Sequence, residues 1–312
     1  MKTELQQDPV WKEMGGFRVS SELFLDVVFT SRCNCACPWC IARTRTYAGE
    51  DRSAWEQALE DAFRLFRIRS VIILGGEATV DPCFFDKLRF LEGAMAGHGA
   101  EHLILTTNGV RLRDEAFLRK LLATGVDAVN LSRMHDDQRT NDRVFGCETP
   151  TREEIRALGR RLKQAGKTLR LNVNVWRGNL DSAEDMDRFT AHFAGTCDAI
   201  KFTPLMETGM FDTVEEVTCL SRSLAIPEEE IADLWNAFAA RHRLVDTASR
   251  VLGFVDYAEV AAFGQRVLLK YAQVEDKYDR EREIPTLKLY PNGCLSNEWS
   301  FRKDIRTRLS GA

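Results

Sequence analysis

The chain has 312 residues, 44% of them apolar and 29% charged, with a net charge of −4 at neutral pH. That balance is ordinary for a globular protein and offers no broad basic face for nucleic acid. No apolar run approaches the roughly 20 residues that span a bilayer. Met1 to Asp8 lack an apolar signal core, so no membrane attachment and a cytoplasmic location are expected. Nine cysteines in such a compartment argue against a disulfide framework and for metal binding or buried thiols.

The first apolar run, Leu23 to Thr30, leads directly into Arg32-Cys33-Asn34-Cys35-Ala36-Cys37-Pro38-Trp39-Cys40. Cys33, Cys37 and Cys40 form a CxxxCxxC triplet. Thiolates are soft ligands that select iron–sulfur clusters, zinc or copper(I). A four-iron cluster takes a thiolate on each iron, so three leave one iron open, and an open position signals chemistry. The alternative is a structural zinc site that uses Cys35 as fourth ligand. Such sites draw two ligand pairs from separated segments, and no second pair is evident. Cys35 is expected to pack beside the metal group without binding it.

Ser53 with Glu56 reads as a capping box for a helix bearing Trp55, Leu59, Phe63 and Phe66. The strand Val71 to Leu74 ends at Gly75-Gly76-Glu77. Phe84, Leu88, Leu91 and Met95 mark a helix that stops near Gly97 and Gly99. Leu103 to Thr106 is a strand ending at Thr107-Asn108-Gly109. Asp114 caps a helix with Phe117, Leu118, Leu121 and Leu122, stopped by Gly125. Val129 to Leu131 is a short strand before Ser132 and Arg133. Thr151 with Glu154 caps a helix carrying Ile155, Leu158 and Leu162. Leu169 to Val175 alternates, so Asn172 and Asn174 share a face. Ser182 starts a helix through Met186, Phe189 and Phe193, and Ala199 to Pro204 is the sixth strand, followed by Leu205 and Met206.

Strands alternating with helices imply parallel pairing through right-handed crossovers, with ligands beyond the carboxyl ends of the strands. Six units fall short of the eight of a closed barrel. Further on, Pro227 and three glutamates start a helix through Ile231, Leu234, Trp235 and Phe238. A second helical stretch is expected from Tyr257 to Tyr271, then a charged, water-facing segment from Glu275 to Glu283. Leu287 to Tyr290 reads as a strand with a turn at Pro291-Asn292-Gly293.

The triplet with its aromatic Trp39, the Gly75-Gly76-Glu77 segment and Thr107-Asn108-Gly109 resemble, in order, the signatures of the radical S-adenosylmethionine (SAM) superfamily. The resemblance covers roughly residues 23 to 206. It implies an α/β fold, the radical SAM partial (β/α)6 TIM barrel, with residues 1–22 as an N-terminal extension and 207–312 as a mixed C-terminal extension covering the barrel. It implies a 4Fe-4S cluster on Cys33, Cys37 and Cys40, with S-adenosyl-L-methionine on the open iron. Gly75, Gly76 and Glu77 would receive the amino group of SAM. Thr107, Asn108, Ser132 and Arg133 would hold its ribose and carboxylate. Asn172 and Asn174 would reach SAM or substrate if their shared face is the barrel interior, and would be solvated if it is not. Leu205 would pack near adenine, and Trp39 beside the cofactors. A side chain at Gly76 is expected to block SAM while leaving the cluster intact.

The implied activity is reductive cleavage of SAM to a 5′-deoxyadenosyl radical that takes hydrogen from an unactivated carbon. An external one-electron reductant of the flavodoxin or ferredoxin type would supply the electron. No segment is left for a cobalamin domain, and Cys219 and Cys294 are too far apart to suggest an auxiliary cluster. A redox-neutral rearrangement, cyclisation, elimination or epimerisation of a small-molecule substrate is therefore expected. Asn141, Val144-Phe145 and Glu184-Asp185-Met186 resemble the branch containing viperin and the GTP cyclase of molybdenum-cofactor synthesis, which implies a nucleotide, sugar or other metabolite. Two alternatives stand beside this. One is modification of a ribosomally made peptide, for which the 22 residues before the first strand are too few to form a leader-binding module. The other is a non-enzymatic metal-binding scaffold. Cys294, just after the turn, is the candidate hydrogen donor that quenches a product radical. His135, Asp136 and Asp137 are expected in a solvated loop, and Cys83, Cys147 and Cys197 as buried small apolar residues.

Overall fold

A computed structural model describes residues 11–42, 49–207, 214–251, 255–270, 279 and 282–309. Six parallel strands form its centre: β2 (Phe17–Val28), β3 (Ile68–Leu74), β4 (His102–Thr107), β5 (Ala128–Ser132), β6 (Thr168–Val175) and β7 (Ala199–Pro204). They pair in chain order, with Leu25 beside Val71, Val71 beside Leu103, and Leu171 beside Ile200. This register brings their carboxyl ends to one edge. The partial barrel expected from the alternating elements is present. A short strand, β1 (Trp11–Met14), adds antiparallel to β2 and was not foreseen.

The sheet continues at both edges. β10 (Gln265–Lys270) runs parallel to β7, and β11 (Glu283–Leu289) runs parallel to β2. β9 (Val255–Ala262) and β8 (Arg243–Val251) follow β10 in antiparallel order, and β12 (Leu295–Ser296) pairs antiparallel with β11. The helix expected from Tyr257 is therefore a hairpin; Tyr271 and most of the charged stretch after it lie outside the described residues. Ala262 pairs with Gln265, and the two residues between them, Phe263 and Gly264, have φ of 53° and 73°. Positive φ at both central positions is the turn that matches the twist of paired strands.

Helices α1 (Arg52–Leu65), α2 (Phe84–His98), α3 (Glu115–Leu122), α4 (Gln138–Phe145), α5 (Arg152–Gln164), α6 (Ala183–Phe193), α7 (Glu215–Leu224), α8 (Glu228–Ala240) and α9 (Ile305–Leu309) complete the chain. The capping box at Thr151 and Glu154 and the caps at Asp114 and Ser182 form as read. The cap of α1 does not. Asp51 accepts from the Ala54 N–H, and Glu56 pairs with Arg52. Buried Leu169, Leu171, Val173 and Val175 of β6 join the helix-facing core, leaving Arg170, Asn172 and Asn174 on the inner face. No helix among the described residues is long and apolar enough to cross a membrane.

Candidate active site

A cavity of about 320 Å³ opens at the carboxyl ends of the strands. It brings together Cys33, Cys37, Cys40, Trp39, Gly75, Gly76, Glu77, Thr107, Asn108, Ser132 and Leu205. Sequence positions up to 172 residues apart thus meet because each follows or ends a parallel strand.

The cysteine loop is fixed by backbone pairing with the glycine segment. Gly76 N–H donates to the Thr30 carbonyl at 2.8 Å, and Glu77 N–H to the Arg32 carbonyl at 2.7 Å. A Cβ on Gly75 would lie 2.7 Å from the Thr30 oxygen, and one on Gly76 would lie 2.6 Å from the Ser31 oxygen. Both glycines are required by the loop that carries Cys33, whatever ligand approaches them. The expectation that a side chain at Gly76 would leave a cluster intact is corrected accordingly.

Glu77 is buried, and its carboxylate is held by four donors. Oε1 accepts from Thr79 N at 3.2 Å, Thr79 Oγ1 at 2.5 Å and Thr107 Oγ1 at 2.7 Å; Oε2 accepts from Asn108 N at 2.7 Å. Burial pushes its carboxyl above the usual range, and these hydrogen bonds oppose the shift. Glu77 therefore joins the ends of β3 and β4. Asn108 carries the linkage onward, donating through Nδ2 to Asn34 Oδ1 at 2.8 Å and to Cys35 Sγ at 3.2 Å.

One wall is apolar. Trp39, Met134, Phe145, Trp176 and Leu205 form a separate buried cluster, with the Trp39 and Trp176 rings 4.4 Å apart. Asn174 lines the cavity, as expected if its face is the barrel interior, and so do Met134, Phe145, Thr106 and Thr203, which the sequence motifs do not mark. Asn174 and Thr203 carried a signal: each alternates with helix-facing neighbours on the inner face of a strand.

Arg133, Asn172 and Cys294 lie outside the cavity, against expectation. Arg133 does not line the cavity. Its Nε donates to the His135 carbonyl at 2.8 Å and its Nη1 to Gln138 Oε1 at 3.0 Å and the Pro150 carbonyl at 2.9 Å, while the guanidinium lies over the Phe193 ring. Burial lowers its pKa to about 10, which still leaves it cationic at neutral pH. Asn172 sits one pleat below the cavity, accepting from Arg170 Nε at 3.2 Å. Cys294 is buried against Val28, Tyr290 and Phe301, with its thiol toward the Ser300 carbonyl. The turn before it is packed on α1, where a Cβ on Gly293 would lie 2.7 Å from Ala54. Cys294 is not among the residues that line the cavity.

Other cysteines also differ from expectation. Cys83 is exposed. Cys35 and Cys147 are joined as a disulfide, tying the cysteine loop to the residue after α4. Ala36 N–H donates to the Phe145 carbonyl at 2.6 Å in the same contact. Cys197 is half-buried and packs against the core, and that burial pushes its thiol to about 12. His135 and Asp136 are half-buried and Asp137 is exposed, as a solvated loop would have them, and each also makes a contact that holds the loop. Asp137 caps α4, Asp136 pairs with Arg188 at 2.8 Å, and His135 Nδ1 accepts from Asp137 N at 2.9 Å.

The donor chemistry fits a cluster. Cys33, Cys37 and Cys40 are free thiols lining one cavity. Among the described residues, no three His, Cys, Asp or Glu side chains converge on a single point as a lone metal ion requires. A cluster spreads its ligands over separate irons and needs no such convergence.

A half-barrel with a three-thiol loop at the strand ends defines a class of metal-dependent radical enzyme. The Radical SAM superfamily profile matches residues 27–190, and the chain belongs to that superfamily. Its members are enzymes that use a 4Fe-4S cluster and S-adenosyl-L-methionine, and so does this chain. The chain is 26% identical over 239 residues to the GTP 3′,8-cyclase of Actinobacillus succinogenes, covering 75% of this chain and 68% of that protein. It is 26% identical over 160 residues to the PqqA peptide cyclase of Granulibacter bethesdensis, covering 50% and 41% of the two chains. The fold matches the crystal structure of Streptococcus suis SuiB bound to S-adenosylmethionine with a TM-score of 0.59 at 15% identity. That match covers 89% of this chain but 61% of SuiB.

Proposed function

We propose that Cys33, Cys37 and Cys40 hold the 4Fe-4S cluster and that the enzyme acts on a small-molecule substrate in a redox-neutral rearrangement, cyclisation, elimination or epimerisation. The observation carrying this reading is the convergence of the three free thiols, the glycine segment and Asn108 on one cavity. When bound and reduced, the cluster with SAM supplies the 5′-deoxyadenosyl radical. The chain's own residues do the rest. Gly75 and Gly76 present bare backbone to the cavity, Glu77 fixes Thr107 and Asn108, and Ser132 adds a hydroxyl. Trp39, Met134 and Leu205 give an apolar wall that excludes water from a reactive intermediate.

In this reading residues 23–206 are the radical-generating core, 1–22 an N-terminal extension, and 207–312 shape the substrate side. The electron comes from an external flavodoxin- or ferredoxin-type donor. The likeness to GTP 3′,8-cyclases favours a nucleotide or related metabolite. A second reading, a ribosomally made peptide as substrate, is favoured by the likeness to PqqA peptide cyclase. Incubating reduced protein and SAM with a small-molecule fraction and a peptide fraction of cell extract in deuterated water separates them. Label appearing only in small molecules is the expected result; label appearing only in peptides would replace the first reading with the second.

A further inference from the structure

The inner face of the barrel carries charge beneath the cavity. Asn172 and Lys201 are paired in register on β6 and β7, two residues before the cavity-lining Asn174 and Thr203. Two residues of strand is roughly 7 Å, so Lys201 stands one layer below the cavity floor. Arg170 leans on Asn172 from one side. On the other side Leu268 of β10 is the in-register neighbour of Lys201, and Lys270 follows on the same face. Asp26 of β2 is the carboxylate that acts on Lys201, and Asp26 also lies opposite Lys288 of β11.

The buried lysines among the described residues have close partners. Lys87 donates to Asp81 Oδ2 at 2.6 Å and the Phe29 carbonyl at 2.5 Å. Lys167 donates to the Thr124 and Val126 carbonyls, each at 2.7 Å, and Lys288 to Thr286 Oγ1 at 2.5 Å. The Lys201 ammonium makes no hydrogen bond or ion pair with any described residue, although its backbone is paired on both sides in the sheet. Lys201 is half-buried; burial pushes its ammonium pKa well below the usual lysine value, and Arg170 and Lys270 add like charge. A partly desolvated ammonium with two like charges near it and no hydrogen-bonded acceptor is costly, and an apolar residue of similar length would be at least as stable there. A ligand anion removes that cost.

We infer that Lys201, with Arg170 and Lys270, forms an anion subsite below the cavity that holds a phosphate or carboxylate of the substrate. The inference rests on the reading of the cavity as the radical site. The anion anchors the far end of the substrate, and the carbon to be attacked stays at cavity level near the cysteine loop. Charge-assisted hydrogen bonds from three cations suit either oxyanion.

The test is calorimetric titration of the anaerobically reconstituted, SAM-loaded protein with inorganic pyrophosphate and, separately, succinate. Wild type, Lys201→Met and Lys201→Arg are compared. The expected result is saturable binding of one probe by wild type, weakened about tenfold or more in Lys201→Met and largely kept in Lys201→Arg. Which probe binds distinguishes phosphate from carboxylate. The thermal midpoint of probe-free Lys201→Met should equal or exceed that of wild type, and the probe should raise the midpoint of wild type only. Equal affinity in wild type and Lys201→Met, no saturable binding of either probe, or a lowered midpoint in Lys201→Met would each overturn the subsite. Failure of wild type to bind SAM or iron would instead overturn the functional reading, and the probe titration remains readable without them.

Discussion

A Cβ on Gly76 would collide with the carbonyl oxygen of Arg32, the residue immediately before Cys33. The glycine segment and the cysteine loop are thus one packed unit. Gly76→Val is predicted to lose iron and SAM binding together, because the loop must shift before a side chain fits. Iron content and SAM affinity measured on the same preparation check this. Normal iron with lost SAM affinity would show that the glycine serves the ligand alone.

Arg133→Met is predicted to destabilise the fold by about 3 kcal/mol, since it leaves the Pro150 and His135 carbonyls short of donors. SAM affinity of the folded fraction should stay within about threefold of wild type, a change of well under 1 kcal/mol. A large loss of SAM affinity at unchanged thermal midpoint would place Arg133 back at the ligand.

Cys294→Ala is predicted to leave iron content, SAM cleavage and product yield unchanged, because the thiol is packed against Tyr290 and Phe301. Its cost is stability alone, on the order of 1 kcal/mol. Scrambled or lost product with normal SAM cleavage would restore it as a hydrogen donor.

Much of this site was legible because parallel strands read as apolar runs and their carboxyl ends are marked by glycine, asparagine and serine. The resemblance singles out Gly75, Glu77, Asn108 and Ser132, and their places after strand ends bring them to one cavity. The direction of a side chain was not legible. Arg133 follows a strand end as a ligand-binding arginine would, yet nearby carbonyls and the Phe193 ring draw it into the loop. Asn172 and Asn174 share a face, but only depth along the strand decides which meets the cavity. The stretch after Tyr257 misled because its dense Ala, Val and Leu fit a helix as well as two buried strands. The glycine at 264 was the available signal for a tight hairpin. The Cys35–Cys147 pairing depends on the loop docking on the end of α4, which no local pattern records.

The pH dependence of stability gives an independent check on Lys201. Its folded-state pKa lies well below the ordinary 10.5, through burial and the charges of Arg170 and Lys270, against Asp26. Between that lowered value and 10.5 the unfolded chain binds more protons than the folded one. Stability contributed by this group therefore rises with pH across that window. Lys201→Met should flatten the rise, measured by denaturant unfolding of ligand-free protein. An unchanged slope in the variant would mean that the ammonium is not desolvated.

The assignment of the cluster to Cys33, Cys37 and Cys40 is tested by iron content and SAM turnover in the Cys33→Ala, Cys37→Ala, Cys40→Ala triple variant after anaerobic reconstitution, beside Cys219→Ala as an exposed-cysteine control. Wild type and the control should bind about four irons per chain and release 5′-deoxyadenosine on reduction with SAM, while the triple variant does neither. A triple variant that keeps its iron and still cleaves SAM would contradict the assignment of these three thiols.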